Sequence, residues 1–445
     1  MNHTQINPQP GLRHLYIGHH FWGAGNIGDD WMLAGFLSAV QLHGQELRIT
    51  CCIEQDLEPM RLRFPQVEWH AMHAATREAL ISQADAWVGL GDTPFQSHVG
   101  SWLLDHIESD LAICRRFGTP AYFLCVGAEG PEACRLPQTG RILEQARQVW
   151  TRDALSAELL GAAAGDPSKI TTAADLAHIH FNSLPAPATA PPTRNTGLVI
   201  HVERPEQLNV AELCKFISQQ AGSPIRWIAQ EVRNLQISEV CLWEMFSPGL
   251  KRQLTAATPD YQGGTLKSFL AQYAGLSTLL STRYHSALAG AWSGIALSVY
   301  ARSQKLDGFV KQFGCATCES LVSAGKMADA LANAKPIARP ALHEAAGIAL
   351  AACGDFFQEI AGARPVARIA SAGYYTKRPA AETPPASSLD LSETRAAGCV
   401  GNNQWDQAIR ILWVRTDSIG DAALAASMLP LIRQRYPGAT ITVLF

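Results

Sequence analysis

The clearest architectural signal lies in residues 12–53, LRHLYIGHHFWGAGNIGDDWMLAGFLSAVQLHGQELRITCCI. The apolar run Leu12–Gly18 predicts a strand, and the Gly-rich loop Gly23–Gly28 leads into a predicted helix over Asp29–His43. A second apolar run, Leu47–Ile53, predicts the next strand. A strand, a helix and a strand in this order are typical of α/β layers built on a parallel sheet.

The same alternation continues along the chain. Further strands are predicted in two groups, Ala86–Leu90, Ala121–Val126 and Val149–Thr151, then Leu198–Val202, Ile225–Ala229, Leu276–Ser281 and Ala296–Tyr300. Helices are predicted in the second group at Val210–Ala221, Leu266–Tyr273, Tyr284–Gly294 and about Ala341–Ala361. We therefore expect an α/β protein with two Rossmann-like domains whose sheet edges face each other across a cleft.

Composition divides the chain into five segments. A chain of 445 residues is expected to hold more than one domain, because a single core rarely grows past about 250–300 residues. The expected segments are a first Rossmann-like domain (12–182), a Pro-rich linker (183–196), a second such domain with a closing helix (197–365), a flexible linker (366–406) and the truncated start of a further domain (407–445).

The last segment carries one predicted βαβ unit, formed by Ile409–Arg415, Ala422–Arg435 and Ala439–Phe445. One such unit cannot cover both faces of its sheet. We therefore expect that the sequence is a fragment of a longer fusion protein, or that this piece docks elsewhere.

The overall composition indicates a globular protein in a reducing compartment. Apolar residues make up 47% of the chain and the formal net charge is −3, which gives no basic field for nucleic acid. We found no apolar run long enough for a membrane span and no signal-peptide pattern, so a cytoplasmic location is expected. The 11 cysteines are irregularly spaced, and the single Cys315-x-x-Cys318 pair predicts no metal site.

The loop that ends in Gly28 is the first candidate site. Gly23, Gly25 and Gly28 have the spacing of a dinucleotide-binding loop, but Asp29 and Asp30 follow at once. Carboxylates there would repel a pyrophosphate and would suit sugar hydroxyls better. The alternative is an ordinary helix N-terminus with acidic residues in its first turn.

The second candidate site is Ser281–Ser286, where a strand is predicted to run into a helix. Arg283 offers a planar fork for a carboxylate or phosphate at a helix N-terminus, where an anion is already favoured. His285 can transfer a proton near neutral pH. A structural histidine is the alternative, but the Arg-x-His pair in this position favours function.

Weaker candidates follow other predicted strands. Arg152, Arg204 and Lys305 each come after a strand, and Gly91 lies in a tight turn. Each taken alone fits a solvated surface side chain or a plain turn equally well. All of them fall at the carboxyl ends of strands, where open α/β sheets bind ligands. The cleft therefore suits a small, highly anionic donor and a hydroxylated acceptor.

Residues 12–314 resemble the polysaccharide pyruvyl transferases. The matching pieces are Gly25–Asp30, Gly89–Gly91, Thr151-Arg152-Asp153 with Ser156 and Leu159, Ala174-Asp175-Leu176, Ser281–His285, Gly294-Ile295-Ala296 and Lys305. The resemblance implies a fold like that of the B-type glycosyltransferases. It also implies transfer of pyruvate from phosphoenolpyruvate to a sugar, as a ketal, in cell-surface glycan synthesis.

The expected roles combine the residues with this resemblance. Catalytic roles are expected for three residues: His285, Arg283 and Asp29. Substrate binding is expected for eight others: Arg152, Lys305, Arg204, Asn26, Gly28, Asp30, Gly91 and Ser286. Phosphoenolpyruvate is the expected donor, with no metal or separate cofactor. The acceptor is a sugar, a nucleotide sugar or a lipid-linked glycan, and a lipid-linked one would bring the protein to a membrane surface.

Two alternatives from other classes stay open. One is a B-type glycosyltransferase that uses a nucleotide sugar, with the same helix N-terminus binding its pyrophosphate. The other is a non-catalytic glycan-binding module that positions a fused transferase.

The C-terminal segment has a resemblance of its own. Residues 411–445 resemble the start of heptosyltransferase-like, family-nine glycosyltransferases through Arg415-x-Asp417-x-Ile419-Gly420-Asp421, Leu424, Pro430, Tyr436–Ala439 and Ile441–Leu444. The resemblance implies that Asp421 is a candidate base in a complete domain, and that a glycosyltransferase domain is fused to the pyruvyl transferase.

Overall fold

The computed structural model describes residues 12–96, 100–185, 195–220, 224–233, 237–257, 260–362, 410–414 and 440–444. The chain divides into two compact units, Met1–Ala370 and Ser371–Phe445. The first unit contains two α/β lobes, which we call the first lobe (residues 12–185) and the second lobe (residues 195–338).

The first lobe is built on a parallel sheet of seven strands in the order β3-β2-β1-β4-β6-β8-β9. The strands of this lobe, including the short pair β5 and β7, are β1 (Arg13–Ile17), β2 (Leu47–Ile53), β3 (Val67–Ala71), β4 (Ala86–Leu90), β5 (Phe95–Gln96), β6 (Ala121–Val126), β7 (Ala128–Glu129), β8 (Ala146–Thr151) and β9 (Ile170–Thr172). Its helices are α1 (Ile27–Leu42), α2 (Leu57–Arg63), α3 (Ala74–Gln83), α4 (Trp102–Phe117), α5 (Pro131–Cys134), α6 (Pro137–Gln145), α7 (Ala154–Ala163) and α8 (Ala177–Ser183).

The second lobe repeats this plan with a parallel sheet of six strands in the order β12-β11-β10-β13-β14-β15. Its strands are β10 (Asn195–Val199), β11 (Ile225–Ile228), β12 (Leu254–Ala257), β13 (Leu276–Ser281), β14 (Ala296–Val299) and β15 (Ala316–Thr317). Its helices are α9 (Val210–Gln219), α10 (Glu239–Met245), α11 (Pro248–Lys251), α12 (Leu266–Ala271), α13 (Tyr284–Trp292), α14 (Gln304–Phe313) and α15 (Ala324–Ala332), and a last helix, α16 (Arg339–Gly362), follows the lobe.

One apolar core runs through both lobes. Trp31 of α1 lies with its ring centre 5.2 Å from that of Phe181 and 6.2 Å from that of Tyr273 in the second lobe. Phe356 of α16 contacts Phe36 and Tyr122 of the first lobe. Burial of these aromatic rings contributes strongly to stability. The first ten residues of α1 are all buried, because this helix packs between the lobes.

The expected architecture of two Rossmann-like α/β domains is confirmed. Four predicted strands have the observed bounds, and these are β2, β4, β6 and β13. Helix α1 begins at Ile27, two residues before the predicted start, because the Asn26 side chain accepts a hydrogen bond from the Gly28 amide. This is the usual way in which asparagine caps a helix.

In the second unit, the structure describes two strands, β16 (Arg410–Val414) and β17 (Thr440–Leu444), which pair in parallel. The predicted helix Ala422–Arg435, the loop with Asp421, the linker 366–406 and most of the linker 183–196 lie outside the described residues. Among the residues that are described, no helix has both the length and the apolar character needed to cross a bilayer.

Candidate active site

The carboxyl ends of the two sheets meet along a groove between the lobes. The loop before α1 is joined to the segment after β11: the Ile27 amide donates to the Gln230 carbonyl at 3.1 Å, and the Val232 amide donates to the Gly25 carbonyl at 3.0 Å. Further along the groove, the Gly130 amide donates to Oε1 of Gln304 at 3.0 Å. Loops of both lobes therefore form its walls.

His285, in the first turn of α13, lies at the centre of this contact and is 6% exposed. Its Nε2 is 3.4 Å from Oδ2 of Asp175, which follows β9 in the first lobe. Burial alone would raise the pKa of Asp175, but His285 and Arg152 outweigh it and lower that pKa to about 2. A carboxylate this close to an imidazole can fix the orientation of the ring, and histidine is the side chain most often used for proton transfer.

Arg152 joins the same cluster from the end of β8. It is buried; its Nη2 donates to Oγ1 of Thr93 at 2.7 Å, and its Nη1 lies 3.9 Å from Oδ2 of Asp175. The guanidinium carbon is 5.2 Å from the ring centre of Tyr284, the neighbour of His285. Arg152 therefore meets the second lobe through an aromatic ring and shares its carboxylate partner with His285.

Arg283 has a different environment from the free anion-binding fork that the sequence suggested. Its Nε and Nη2 donate to the two carboxylate oxygens of Glu239 at 2.9 and 3.1 Å. Glu231 lies 3.7 Å from Nη2. Burial, together with Arg283 and other cations, lowers the pKa of His201, whose Nδ1 is 3.3 Å from Nη2 of Arg283. The guanidinium fork is thus occupied by an internal carboxylate.

Lys305, in the first turn of α14, is half-buried among charged side chains. Burial lowers its pKa, and Arg152 and Arg302 act in the same direction against Glu129 and Asp92. Because cations repel one another, a lysine with such neighbours keeps its charge most easily when an anion binds. An anion-binding role for Lys305 therefore stays a prediction.

Asp29 lies in the first turn of α1 and accepts a hydrogen bond from Nδ2 of Asn26 at 3.0 Å. Its pKa is raised well above the ordinary value by burial and then by Asp92 and Glu231. Asn26 has little left to offer a substrate, because its Oδ1 accepts from the Gly28 amide and from Nε2 of Gln230. Asp29 is thus a carboxyl group that readily holds a proton.

Asp30 lies in a contact between the lobes, away from the substrate-facing position expected from the sequence. It is fully buried, its Oδ1 accepts from the Tyr261 hydroxyl at 3.1 Å, and its Oδ2 lies 3.3 Å from Nε of Arg63. Arg63 also donates to the Tyr261 carbonyl at 2.6 Å and stacks on that ring. We call Asp30, Arg63 and Tyr261 the clasp.

Ser286 differs from expectation in the same way. Its amide and its hydroxyl both donate to Oε1 of Gln230 at 2.8 Å, and the hydroxyl accepts from Tyr273 at 2.8 Å.

Gly91 adopts a left-handed conformation with φ +56°, and a Cβ there would lie 2.6 Å from Sδ of Met32, so it shapes a turn. The Arg204 side chain is 69% exposed and lies 3.5 Å from Glu206.

A group of unusual backbone conformations at the carboxyl ends of strands in the first sheet could not be predicted from the sequence. His19, Asp92 and Cys125 have φ of 61°, 58° and 56°. They lie at the ends of β1, β4 and β6, which are adjacent in the sheet. Left-handed backbone at non-glycine residues is costly and concentrates at functional sites. Asp92 also affects the pKa values of both Asp29 and Lys305.

The carboxylates that pair with Arg283 and His285 were also not predicted from the sequence. Glu231 and Glu239 follow β11 and meet Arg283 within the second lobe, whereas Asp175 of the first lobe meets His285 across the contact between the lobes. Their local patterns are ordinary: Glu239, for instance, follows Ser238, whose side chain accepts from the Cys241 amide as a helix cap. Asp175 was among the residues that match the pyruvyl transferases. That match was the one signal from which a carboxylate partner for His285 could have been predicted.

No protein-family model matches the chain, and no curated protein does. Solved structures do match. Anabaena Alr3699/HepE in complex with UDP and glucose has a TM-score of 0.51 at 9% identity, over 79% of this chain and 99% of that one. The UDP-N-acetylglucosamine 2-epimerase from Rickettsia bellii also has a TM-score of 0.51, at 11% identity, over 79% of this chain and 96% of that one.

The complex of Anabaena Alr3699/HepE with UDP-glucose matches with a TM-score of 0.50 at 10% identity, over 79% of this chain and 98% of that one. Identities this low show a shared fold alone. The chain has the two-domain, Rossmann-like architecture of the B-type glycosyltransferases.

Proposed function

We propose that the protein is a transferase that moves a group from a phosphorylated donor to a hydroxyl group of a sugar, in the groove between its lobes. The observation that carries the proposal is the meeting of His285, Asp175 and Arg152 at the carboxyl ends of both sheets, with Lys305 within electrostatic reach of Arg152. A proton donor beside cations suits a reaction in which a phosphate-bearing group leaves.

His285 is the proposed proton-transfer group. Asp175 is proposed to orient the imidazole, and Arg152 to hold Asp175 from the other side. Lys305 is proposed to bind the anionic part of the donor. Asp29, whose pKa burial raises, is close enough to Asn26 to be held in place and is proposed to contact the acceptor.

The first donor candidate is phosphoenolpyruvate, which the pyruvyl transferase resemblance favours. In that reaction His285 would give its proton to the methylene carbon. A sugar hydroxyl would then attack the adjacent carbon, and a second hydroxyl would displace phosphate to close the ketal. Arg283 would act here through Glu239 and His201, since its fork is already occupied.

The second donor candidate is a nucleotide sugar, and the comparisons favour it over phosphoenolpyruvate. Alr3699/HepE has this fold and was solved with UDP-glucose. In that reaction Lys305 and Arg152 would face the pyrophosphate, and the carboxyl groups would face the acceptor hydroxyl.

The products separate these candidates. The full chain is incubated with phosphoenolpyruvate or with UDP-glucose, together with a panel of sugar acceptors, and His285→Ala serves as the control. Release of inorganic phosphate that depends on the acceptor supports pyruvyl transfer, and release of UDP supports glycosyl transfer. If neither product forms above the His285→Ala level, the proposed function is wrong and a non-catalytic glycan-binding role is favoured.

For the second unit, we propose that residues 407–445 are the start of a heptosyltransferase-like domain. The parallel pairing of β16 with β17, from Arg410↔Thr440 to Val414↔Leu444, supports this because a βαβ unit gives that pairing.

A further inference from the structure

A cavity of about 620 Å³ lies at one end of the groove, within the size range of small-molecule sites. The first lobe contributes β7 and the start of α5, and the second lobe contributes the loops after β10 and β14. We call this cavity the seam pocket. The Gly130 amide, which donates to Gln304 at 3.0 Å, joins the two lobes at its wall.

The seam pocket is more acidic than basic. It is lined by four carboxylates, Glu129, Glu132, Glu203 and Asp307, and by two cations, Arg204 and Arg302. Both cations have carboxylate partners in the chain: Arg302 pairs with Glu203 and donates to the Thr282 carbonyl at 2.8 Å, and the exposed Arg204 lies 3.5 Å from Glu206. A phosphorylated ligand would be repelled there.

Neutral hydrogen-bonding groups complete the lining. Oε1 of Gln304 accepts from Gly130, and Oε1 of Gln207 accepts from the amides of Glu203 and Arg204 at 3.0 and 3.1 Å. An amide group whose oxygen is held in this way keeps its N–H donors for a ligand. The buried hydroxyl oxygen of Ser303 has no hydrogen-bond partner among the described residues.

We propose that the seam pocket binds a neutral, hydroxyl-rich sugar ring, and that this ring belongs to the acceptor of the transfer reaction. The second part of this inference rests on the proposed function. Carboxylates accept hydrogen bonds from sugar hydroxyls, and amide N–H groups donate to them. Arg302 connects the two regions, since it lines the pocket and its Nε donates to the carbonyl of Thr282, three residues before His285. The anionic donor and the neutral acceptor thus have separate, adjacent places.

The test removes two exposed carboxylates of the pocket without changing its shape. The full chain and the double variant Glu132→Gln/Asp307→Asn are titrated with methyl β-galactoside, methyl α-glucoside and N-acetylglucosamine, followed by saturation-transfer NMR. The matched control is Glu46→Gln/Glu359→Gln, which removes two exposed carboxylates that do not line the pocket. Phosphoenolpyruvate and UDP-glucose are titrated separately.

We expect one of the sugars to bind the wild type and the control equally, and the pocket variant about tenfold more weakly, with donor affinity unchanged. The proposal is overturned if no sugar binds the wild type, if the pocket variant binds sugar as well as the control does, or if the variant binds phosphoenolpyruvate or UDP-glucose more tightly without losing sugar. Since the sugars are titrated without donor, failure of the donors to bind counts only against the proposed function.

Discussion

Gly28, in the first turn of α1, lies directly against the imidazole of His285. A Cβ atom at position 28 would be 2.2 Å from Nδ1 of that ring and 3.0 Å from Nε2 of Gln230. No side chain other than hydrogen fits between the helix and the ring. The glycine in the loop of the first lobe is therefore required by a histidine of the second lobe, and not by a phosphate.

Gly28→Ala is expected to displace the imidazole from Asp175 and to lower kcat at least a hundredfold, because general acid catalysis typically contributes 10²–10⁴. Its matched control is Gly161→Ala, a helical glycine whose added Cβ meets nothing within 4 Å. That change is expected to leave kcat intact and to stabilise the protein by up to about 1 kcal/mol. Equal activity of the two variants would show that the contact does not matter.

Asp175→Asn is expected to lower kcat by roughly the same factor, since it removes the carboxylate that lies 3.4 Å from Nε2 of His285 and orients the ring. It should also destabilise the protein by roughly 3–5 kcal/mol, because it leaves Arg152 and His285 without their buried partner. Urea unfolding at pH 7 measures the second effect. A variant as stable as the wild type would contradict the assignment of this carboxylate.

Asp175 also predicts a dependence on acid. Because its pKa in the folded protein is about 2, below the ordinary value of about 4, the stability that it contributes is present above pH 4. It is lost as the pH falls towards 2. The difference in unfolding free energy between the wild type and Asp175→Asn should therefore shrink between pH 4 and pH 2. A constant difference would disagree with this account.

Arg283→Ala is expected to destabilise the protein by roughly 3–5 kcal/mol, because it leaves Glu239 buried and unpaired. From the sequence alone, we expect Arg283→Ala to remove turnover and to leave the fold intact. The pairing of Arg283 with Glu239 argues against an intact fold. The double variant Arg283→Met/Glu239→Gln should recover part of the stability in urea unfolding. If Arg283→Ala proves as stable as the wild type, the Arg283–Glu239 ion pair does not stabilise the fold.

The clasp predicts a pH effect of the opposite sign to that of Asp175. Burial raises the pKa of Asp30 to about 7, although Arg63 and the Tyr261 hydroxyl oppose it. Stability from a carboxyl group with a raised pKa is present below about pH 4 and is lost as the pH rises to about 7. Asp30→Asn should remove that fall in unfolding free energy, and the exposed Asp355→Asn should keep it. A fall of equal size in both variants would rule the clasp out as its source.

Much of the fold follows from local sequence. Buried strands such as β4 and β6 are continuous apolar runs, as central strands of parallel sheets usually are, and their predicted bounds are the observed ones. The strands that were missed, including β3 and β9, contain exposed residues. Their polar residues interrupt the apolar pattern, so a single sequence gives a weak strand signal there.

The candidate site was less predictable than the fold. Residue type and position after a strand pointed to Arg152 and His285, which the structure joins through Asp175, and to Lys305, which lies within electrostatic reach of Arg152. The same reasoning pointed to Asp30 and Ser286, which bind other parts of the chain. Whether a polar side chain faces the groove or an internal partner depends on how the lobes pack, and that is not encoded in a short motif.

The central claim is that the cations at the groove bind a phosphorylated donor, and isothermal titration of Lys305→Met against the wild type tests it most directly. Phosphoenolpyruvate and UDP-glucose are the two ligands. The account predicts that one of them binds the wild type and that the variant binds it at least about tenfold more weakly, since a charged hydrogen bond contributes about 1.5–3 kcal/mol. Equal affinity in the two proteins, or no binding of either ligand to the wild type, would contradict it.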